Sequence, residues 1–196
     1  MPEKNARIIL ASSSPRRAEL LKGLGLAFEI APSHIQERPH VNEAPPDYIM
    51  RLARAKVIAV ARHWESGLIV GADTIVVVDG RILEKPKDED DATHLLRQLS
   101  GRWHAVMTGV ALYEIGSRRE VADYDKTLVR FAPLSEKEIR WYVKTGEPMD
   151  KAGGYGIQGL GGLFVEEIAG NYFNVVGLPI PLLYRLARRL GYPFIE

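Results

Sequence analysis

The stretch Leu68-Ile69-Val70-Gly71-Ala72-Asp73-Thr74-Ile75-Val76-Val77-Val78 is the feature that most limits what this chain can become. A run this rich in β-branched apolar residues predicts the central strand of a sheet, or two shorter strands in succession. Asp79-Gly80 then makes a hairpin turn into Arg81-Ile82-Leu83. One residue breaks the apolar run, and it is a carboxylate. An ionised Asp73 inside a buried strand is costly unless a metal, water or cation compensates it. Such a group can hold a divalent ion or take a proton from a water. The competing explanation makes Asp73 a turn residue between two short strands, with Gly71 providing the bend.

The rest of the chain supplies strands and helices in alternation. Ile8 to Ala11 is a short buried strand. A Ser-rich turn leads into a helix from Pro15 to Lys22, with Ser14 as N-cap, Pro15 at the favoured first position and Gly23 or Gly25 at the end. Phe28 to Ala31 is a strand closed by Pro32, and residues 34–46 form a polar, Pro-rich loop. Asp47 is expected to cap a helix from Tyr48 to His63, with Ile49, Leu52, Ala53 and Lys56 near one face. Glu89 to Leu99 is an amphipathic helix ended by Ser100-Gly101. Trp103 to Tyr113 and Val121 to Phe131 pair around Gly116-Ser117. Ser135, with Glu138 in the capping-box position, opens a helix to Lys144. Residues 153–162 are a glycine-dense shaped loop, Phe164 to Ile168 a strand, and Leu178 to Leu190 a closing helix beginning with Pro179. This order suggests an α/β or α+β sheet with a cleft, bilobal, and residues 1–196 as a single domain.

The bulk numbers narrow the partners. With 46% apolar and 26% charged residues the chain has the composition of a folded soluble protein, and a net charge of +1 advertises neither nucleic acid nor an anionic membrane. Anion binding must therefore come from local clusters. The absence of cysteine excludes disulfides, thiolate catalysis and Cys-based metal centres. Residues 1–7 run into an apolar stretch too short for a signal peptide or a span, so the expected location is cytoplasmic.

The best-marked anion site is Ser12-Ser13-Ser14-Pro15-Arg16-Arg17. The first turn of a helix presents unpaired N–H groups at the positive end of its dipole, and the serine hydroxyls add donors. Arg16 and Arg17 are misplaced there by about 0.3–1 kcal/mol each unless an anion is present. A capped surface helix with two solvated arginines accounts for the same residues. The spacing is not that of a P-loop. Glu84-Lys85-Pro86-Lys87 sets two cations beside a turn, where they could screen phosphates or merely line a solvated loop. Lys56, near the apolar face of its helix, suits burial against an anion. In the loop from Asp150 to Gly162 the glycines permit close backbone approach to a ligand, Gln158 offers an amide suited to a base edge, and Tyr155 could pack a ring. The five histidines show no metal-ligand spacing. Trp103 and Trp141 read as core residues.

Taken in order, Ser12 to Arg17, Glu37, Arg51 to Lys56, Gly71-Ala72-Asp73-Thr74, Glu84-Lys85-Pro86, Ser100-Gly101, Thr108-Gly109, Asp150 to Gly162 and Val176-Gly177-Leu178-Pro179 resemble the Maf family of nucleotide pyrophosphatases. The resemblance implies an α/β fold, with a mixed, twisted sheet flanked by helices and two lobes around a deep cleft, as in inosine triphosphatases. It implies hydrolysis of a nucleoside triphosphate to the monophosphate and pyrophosphate with Mg²⁺ or Mn²⁺. It makes Asp73 the general base, Glu37 and Asp73 the metal-side carboxylates, and Ser12, Ser14, Arg17, Lys56 and Lys85 the phosphate-facing residues. Arg16, Thr74 and Gln158 match the specificity positions of members acting on dTTP and UTP. Members acting on 7-methyl-guanosine triphosphate tend instead towards S-P-W-R, G-S-D-Q and S-E-G. Ser13 stands where glycine is common. A nucleotide-binding regulator of cell division is the alternative from another class, and a homodimer is a possible assembly.

Overall fold

The computed structural model describes residues 7–192 and residue 194; residues 1–6, part of the N-terminal segment considered above, lie outside it. In chain order the strands are β1 (Ile8–Leu10), β2 (Phe28–Ile30), β3 (Leu68–Val78), β4 (Arg81–Leu83), β5 (Trp103–Glu114), β6 (Arg119–Phe131) and β7 (Val165–Ala169). The helices are α1 (Pro15–Gly23), α2 (Pro45–Ala61), α3 (Glu89–Leu99), α4 (Glu136–Lys144), α5 (Tyr172–Val176) and α6 (Ile180–Leu190). Strand order is β2-β1-β3-β5-β6-β7, with β4 added to β3. The sheet is mixed: β1 runs parallel to β2 and β3, whereas β3–β4 and β6–β7 are antiparallel. The fold is α/β. Among the described residues no helix is long and apolar enough to cross a membrane.

The chain forms two compact units, and β3 passes from one to the other between Asp73 and Thr74. In the first unit, residues 7–73, 108–125 and 177–194, successive strand residues serve opposite faces. Ile8, Leu10, Leu68 and Val70 pack with Leu21 of α1 and with Leu182, Leu183, Leu186 and Leu190 of α6. Ile9 and Ile69 point the other way, onto Ala53, Val57 and Val60 of α2. Helical cover on both faces is why β1 and the start of β3 are apolar without alternation. Each such side chain, once fully buried, contributes about 1.5–3 kcal/mol. The run is one continuous strand, so Asp73 is not a turn residue.

The second unit, residues 74–107 and 126–176, has a core of its own. Val76, Val78 and Leu83 pack with Leu95, Leu96 and Leu99 of α3, Ile139, Tyr142 and Val143 of α4, and Phe131, Tyr155 and Phe164. The expected capping box of α4 is present in full: Ser135 accepts from the Glu138 N–H and Glu138 from the Ser135 N–H.

Two helix starts and one cap differ from expectation. Helix α2 begins at Pro45, with Ala44 as its N-cap, so Asp47 lies in the first turn rather than capping it. Pro45 and Pro46 lack the N–H groups a helix leaves unpaired at its start, so they extend it backwards without a side-chain cap. Ser14 occupies the N-cap of α1, but its side chain makes no capping hydrogen bond. Helix α6 starts at Ile180, with Pro179 as N-cap. The short α5 and a 3₁₀ turn at Glu147–Asp150 have no counterpart among the sequence-based expectations.

Candidate active site

Helix α2 turns Ile49, Leu52, Ala53, Lys56, Val57 and Val60 inward, the spacing of a buried face. Lys56 is the single charge on that face. Gly71 of β3 lets it reach the strand: a Cβ there would lie 2.7 Å from Val57 Cγ1 and 2.8 Å from the Ala53 carbonyl oxygen. The competing explanation of Asp73 as a turn residue has Gly71 supply a bend, whereas in the continuous strand its role is close helix–strand approach.

The Lys56 ammonium is then shared among three oxygens. Nζ lies 2.5 Å from Asp73 Oδ1, 2.7 Å from Glu37 Oε1 and 3.4 Å from the Ala72 carbonyl. An ammonium has three protons to give, and three acceptors surround it. The Lys56 and Asp73 side chains are 7% and 10% exposed, and that of Glu37 is 42% exposed. The buried carboxylate is therefore compensated by a cation, and Glu37 offers the solvent-facing side of the group.

The turn between β1 and α1 is built around Ser12. Its buried Oγ accepts from the Ser14 N–H at 3.2 Å and from Arg17 Nη1 at 3.1 Å. With both lone pairs engaged, the hydroxyl keeps a proton to donate. Arg17 is buried, and its Nε donates to the Gly177 carbonyl at 2.8 Å. Burial holds the Arg17 guanidinium below its usual value, Asp73 and Glu37 pull it up, and Arg16 pushes it down. That pattern places Arg17 in the field of the carboxylate pair. The solvated-arginine alternative fails for Arg17, while Arg16 is half-buried.

Ser12, Arg17, Glu37, Lys56 and Asp73 are thus brought together in the first unit, with Ser14 against Ser12 and Arg16 in the field of Arg17. Thr74, Lys85 and Gln158 belong to the second unit. Thr74 is half-buried; Lys85 and Gln158 are exposed. The Glu84 carbonyl beside Lys85 accepts from the Gly153 N–H at 3.1 Å, tying that segment to the glycine-dense loop.

Other expectations are corrected. Tyr155 is not free to pack a ligand ring: it is buried, 4.6 Å from the Phe131 ring centroid, and its hydroxyl lies 2.8 Å from His104 Nε2. Trp103 and Trp141 are exposed rather than core residues, Trp103 lying beneath the Arg130 guanidinium. Sequence reasoning missed Glu147. Burial pushes its carboxyl up, but the N–H groups of Gly161 and Leu160, the Tyr142 hydroxyl and Lys151 outweigh this and hold it below the usual carboxylate range.

Among the described residues no cluster of three or more His, Cys, Asp or Glu side chains is assembled for a metal. Asp73 and Glu37 do supply hard oxygen donors, and a Mg²⁺-type ion is ordinarily held by one or two carboxylates together with substrate phosphates. The donor set fits such an ion. The charges of Lys56, Arg17, Asp73 and Glu37 cancel, so a polyphosphate entering the group arrives with charge left to balance.

A family model described as "Maf-like protein" matches residues 7–190. The chain is 48% identical over 187 residues to a dTTP/UTP pyrophosphatase of Symbiobacterium thermophilum, covering 95% of each chain. It is 50% identical over 184 residues to one of Koribacter versatilis, covering 94% of each, and 50% identical over 189 residues to one of Anaeromyxobacter dehalogenans, covering 95% of each. A solved structure, that of the Staphylococcus aureus Ham1 protein, overlies 64% of this chain and 72% of its own with a TM-score of 0.45 at 13% identity, too slight a likeness to carry an argument.

Proposed function

The chain belongs to the Maf-like protein family, and on that premise we propose that it hydrolyses dTTP and UTP to the monophosphate and pyrophosphate, as the names of its relatives state for them. The observation that carries the reading is the Lys56 ammonium held between Asp73 and Glu37, with the buried Arg17 in the same field. A buried carboxylate paired with a cation that phosphate oxygens can draw away is suited to accept a proton from water.

The triphosphate lies against the Ser12–Arg17 turn, whose helix start and Ser12 proton face its oxygens. Arg17 and Lys56 carry charge complementary to it, and Lys85 is assigned as a further phosphate-facing cation. Phosphate oxygens compete for the Lys56 protons, and as Lys56 turns towards them Asp73 Oδ1 is released to accept from water. Asp73 takes a proton as the water oxygen bonds to the α-phosphorus. The bond from that phosphorus to the bridging oxygen breaks, and pyrophosphate leaves with its electron pair. Asp73 and Glu37 would hold a Mg²⁺ or Mn²⁺ ion, which when bound supplies charge neutralisation on the phosphates. Arg16, Thr74 and Gln158 select the base. A carboxamide can satisfy both the N–H and a carbonyl of a pyrimidine imide, and a base lacking that pair leaves polar groups unmatched. Nucleoside triphosphate pools are cytoplasmic, and that is where we place the protein.

Pyrophosphate release from dTTP, UTP and 7-methyl-guanosine triphosphate, each with Mg²⁺ and with Mn²⁺, tests the reading. Preferential turnover of dTTP and UTP supports it. Preference for the methylated guanine nucleotide would overturn the base assignment, and tight binding without turnover of any of them would favour a regulatory protein.

A further inference from the structure

The glycine-dense loop that carries Gln158 is not loose. The Glu147 carboxylate stands inside it: Oε2 accepts from the Leu160 N–H at 2.8 Å, and Oε1 accepts from the Gly161 N–H at 3.1 Å and from the Tyr142 hydroxyl at 2.8 Å. The Tyr142 oxygen in turn accepts from the Gly156 N–H at 3.2 Å. The backbone is thus tied on both sides of Gln158, at 156 and at 160–161, to one carboxylate and the phenol bound to it. Tyr142 is fully buried, its ring edge-on to Phe164 at 5.1 Å, so the anchor rests on the core of the second unit. Glycine at 159 follows from the same arrangement, because a Cβ there would lie 2.5 Å from Glu147 Oε2. The loop's glycine thus makes room for the protein's own carboxylate, not for a ligand.

The Gln158 side chain is exposed, so the fold controls its direction through the backbone it stands on. We propose that Glu147 is a positioning residue for Gln158: its carboxylate fixes the turn from Gly156 to Gly161 and thereby sets base selectivity. The proposal rests on the assignment of Gln158 as a base-reading residue. Both Glu147 oxygens act only as acceptors in these contacts. Glutamine at 147 would keep the shape but turn an amide N–H₂ against either Leu160 N–H or the Gly161 and Tyr142 donors, so the anchor is lost with little change in volume.

The test compares kcat/KM for UTP and CTP, which differ at the imide edge, in the wild type, Glu147→Gln, Tyr142→Phe, Gln158→Ala and the Glu147→Gln/Gln158→Ala double variant. Gln158→Ala is expected to lower the UTP-to-CTP ratio about tenfold or more, the scale of a misplaced contact group. Glu147→Gln is expected to lower it similarly, Tyr142→Phe by less, and the double variant no further than Gln158→Ala alone. An unchanged ratio in Glu147→Gln, or losses that multiply in the double variant, would overturn the proposal while leaving the Gln158 assignment standing. An unchanged ratio in Gln158→Ala would remove that assignment and the proposal with it. Should Glu147→Gln not fold, Tyr142→Phe decides: a lowered ratio supports the anchor and an unchanged one overturns it.

Discussion

Lys56 Nζ and Asp73 Oδ1 stand 2.5 Å apart, each on a side chain no more than a tenth exposed. The pair joins helix α2 to strand β3 and sets opposite charges against each other in a buried position. Replacing Lys56 by methionine keeps the stem but strands the carboxylate. Lys56→Met is expected to lose on the order of 3 kcal/mol in denaturant unfolding, and Lys56→Met/Asp73→Asn to regain much of it. Additive losses in the double variant would contradict the pairing.

Gly71 governs how closely that helix and strand approach. Alanine at 71 must displace Val57 or the Ala53 carbonyl, both nearer than a Cβ tolerates. Gly71→Ala is expected to cost about 1–3 kcal/mol, as overpacking does. Because the shift falls beside Lys56 and Asp73, turnover should drop as well. A variant as stable and as active as the wild type would show that the approach is not constrained there.

His104 gives a pH dependence with a definite sign. Buried between Phe131 and Tyr155, its imidazole is pushed down by burial from 6.5 to about 4. Below pH 6.5 the unfolded chain takes up a proton that the native protein refuses, so stability falls as pH drops towards 4, by on the order of 3 kcal/mol in all. Above pH 6.5 the group contributes no slope. Unfolding midpoints between pH 7 and 4 should therefore fall more steeply for the wild type than for His104→Gln. Equal slopes would show that His104 does not titrate differently in the two states.

Several elements were readable because their signals are local. The apolar run of β3, the Asp79-Gly80 turn, the Glu89–Leu99 helix and the Ser135/Glu138 box each lie within a few residues of the groups that cause them. The Ser12–Arg17 turn was legible as a strand-to-helix junction for the same reason. What escaped depends on distance. Glu147 meets Leu160 and Gly161 across 13 and 14 positions, and no pattern around it announces a buried anchor. Helix α5 is only five residues long, too short for a periodic signal. The neighbourhood of Glu37 and Lys56 came from family resemblance alone, since a loop carboxylate carries no local mark of its partner.

The assignment of Asp73 as the base that activates water carries the proposed reaction. Its most direct test is single-turnover release of pyrophosphate from UTP by Asp73→Asn, with UTP binding measured on the same protein. The expected result is binding within a few-fold of the wild type and a rate reduced by about 10²–10⁴, the usual contribution of a positioned base. Wild-type turnover by Asp73→Asn with UTP normally bound would contradict it.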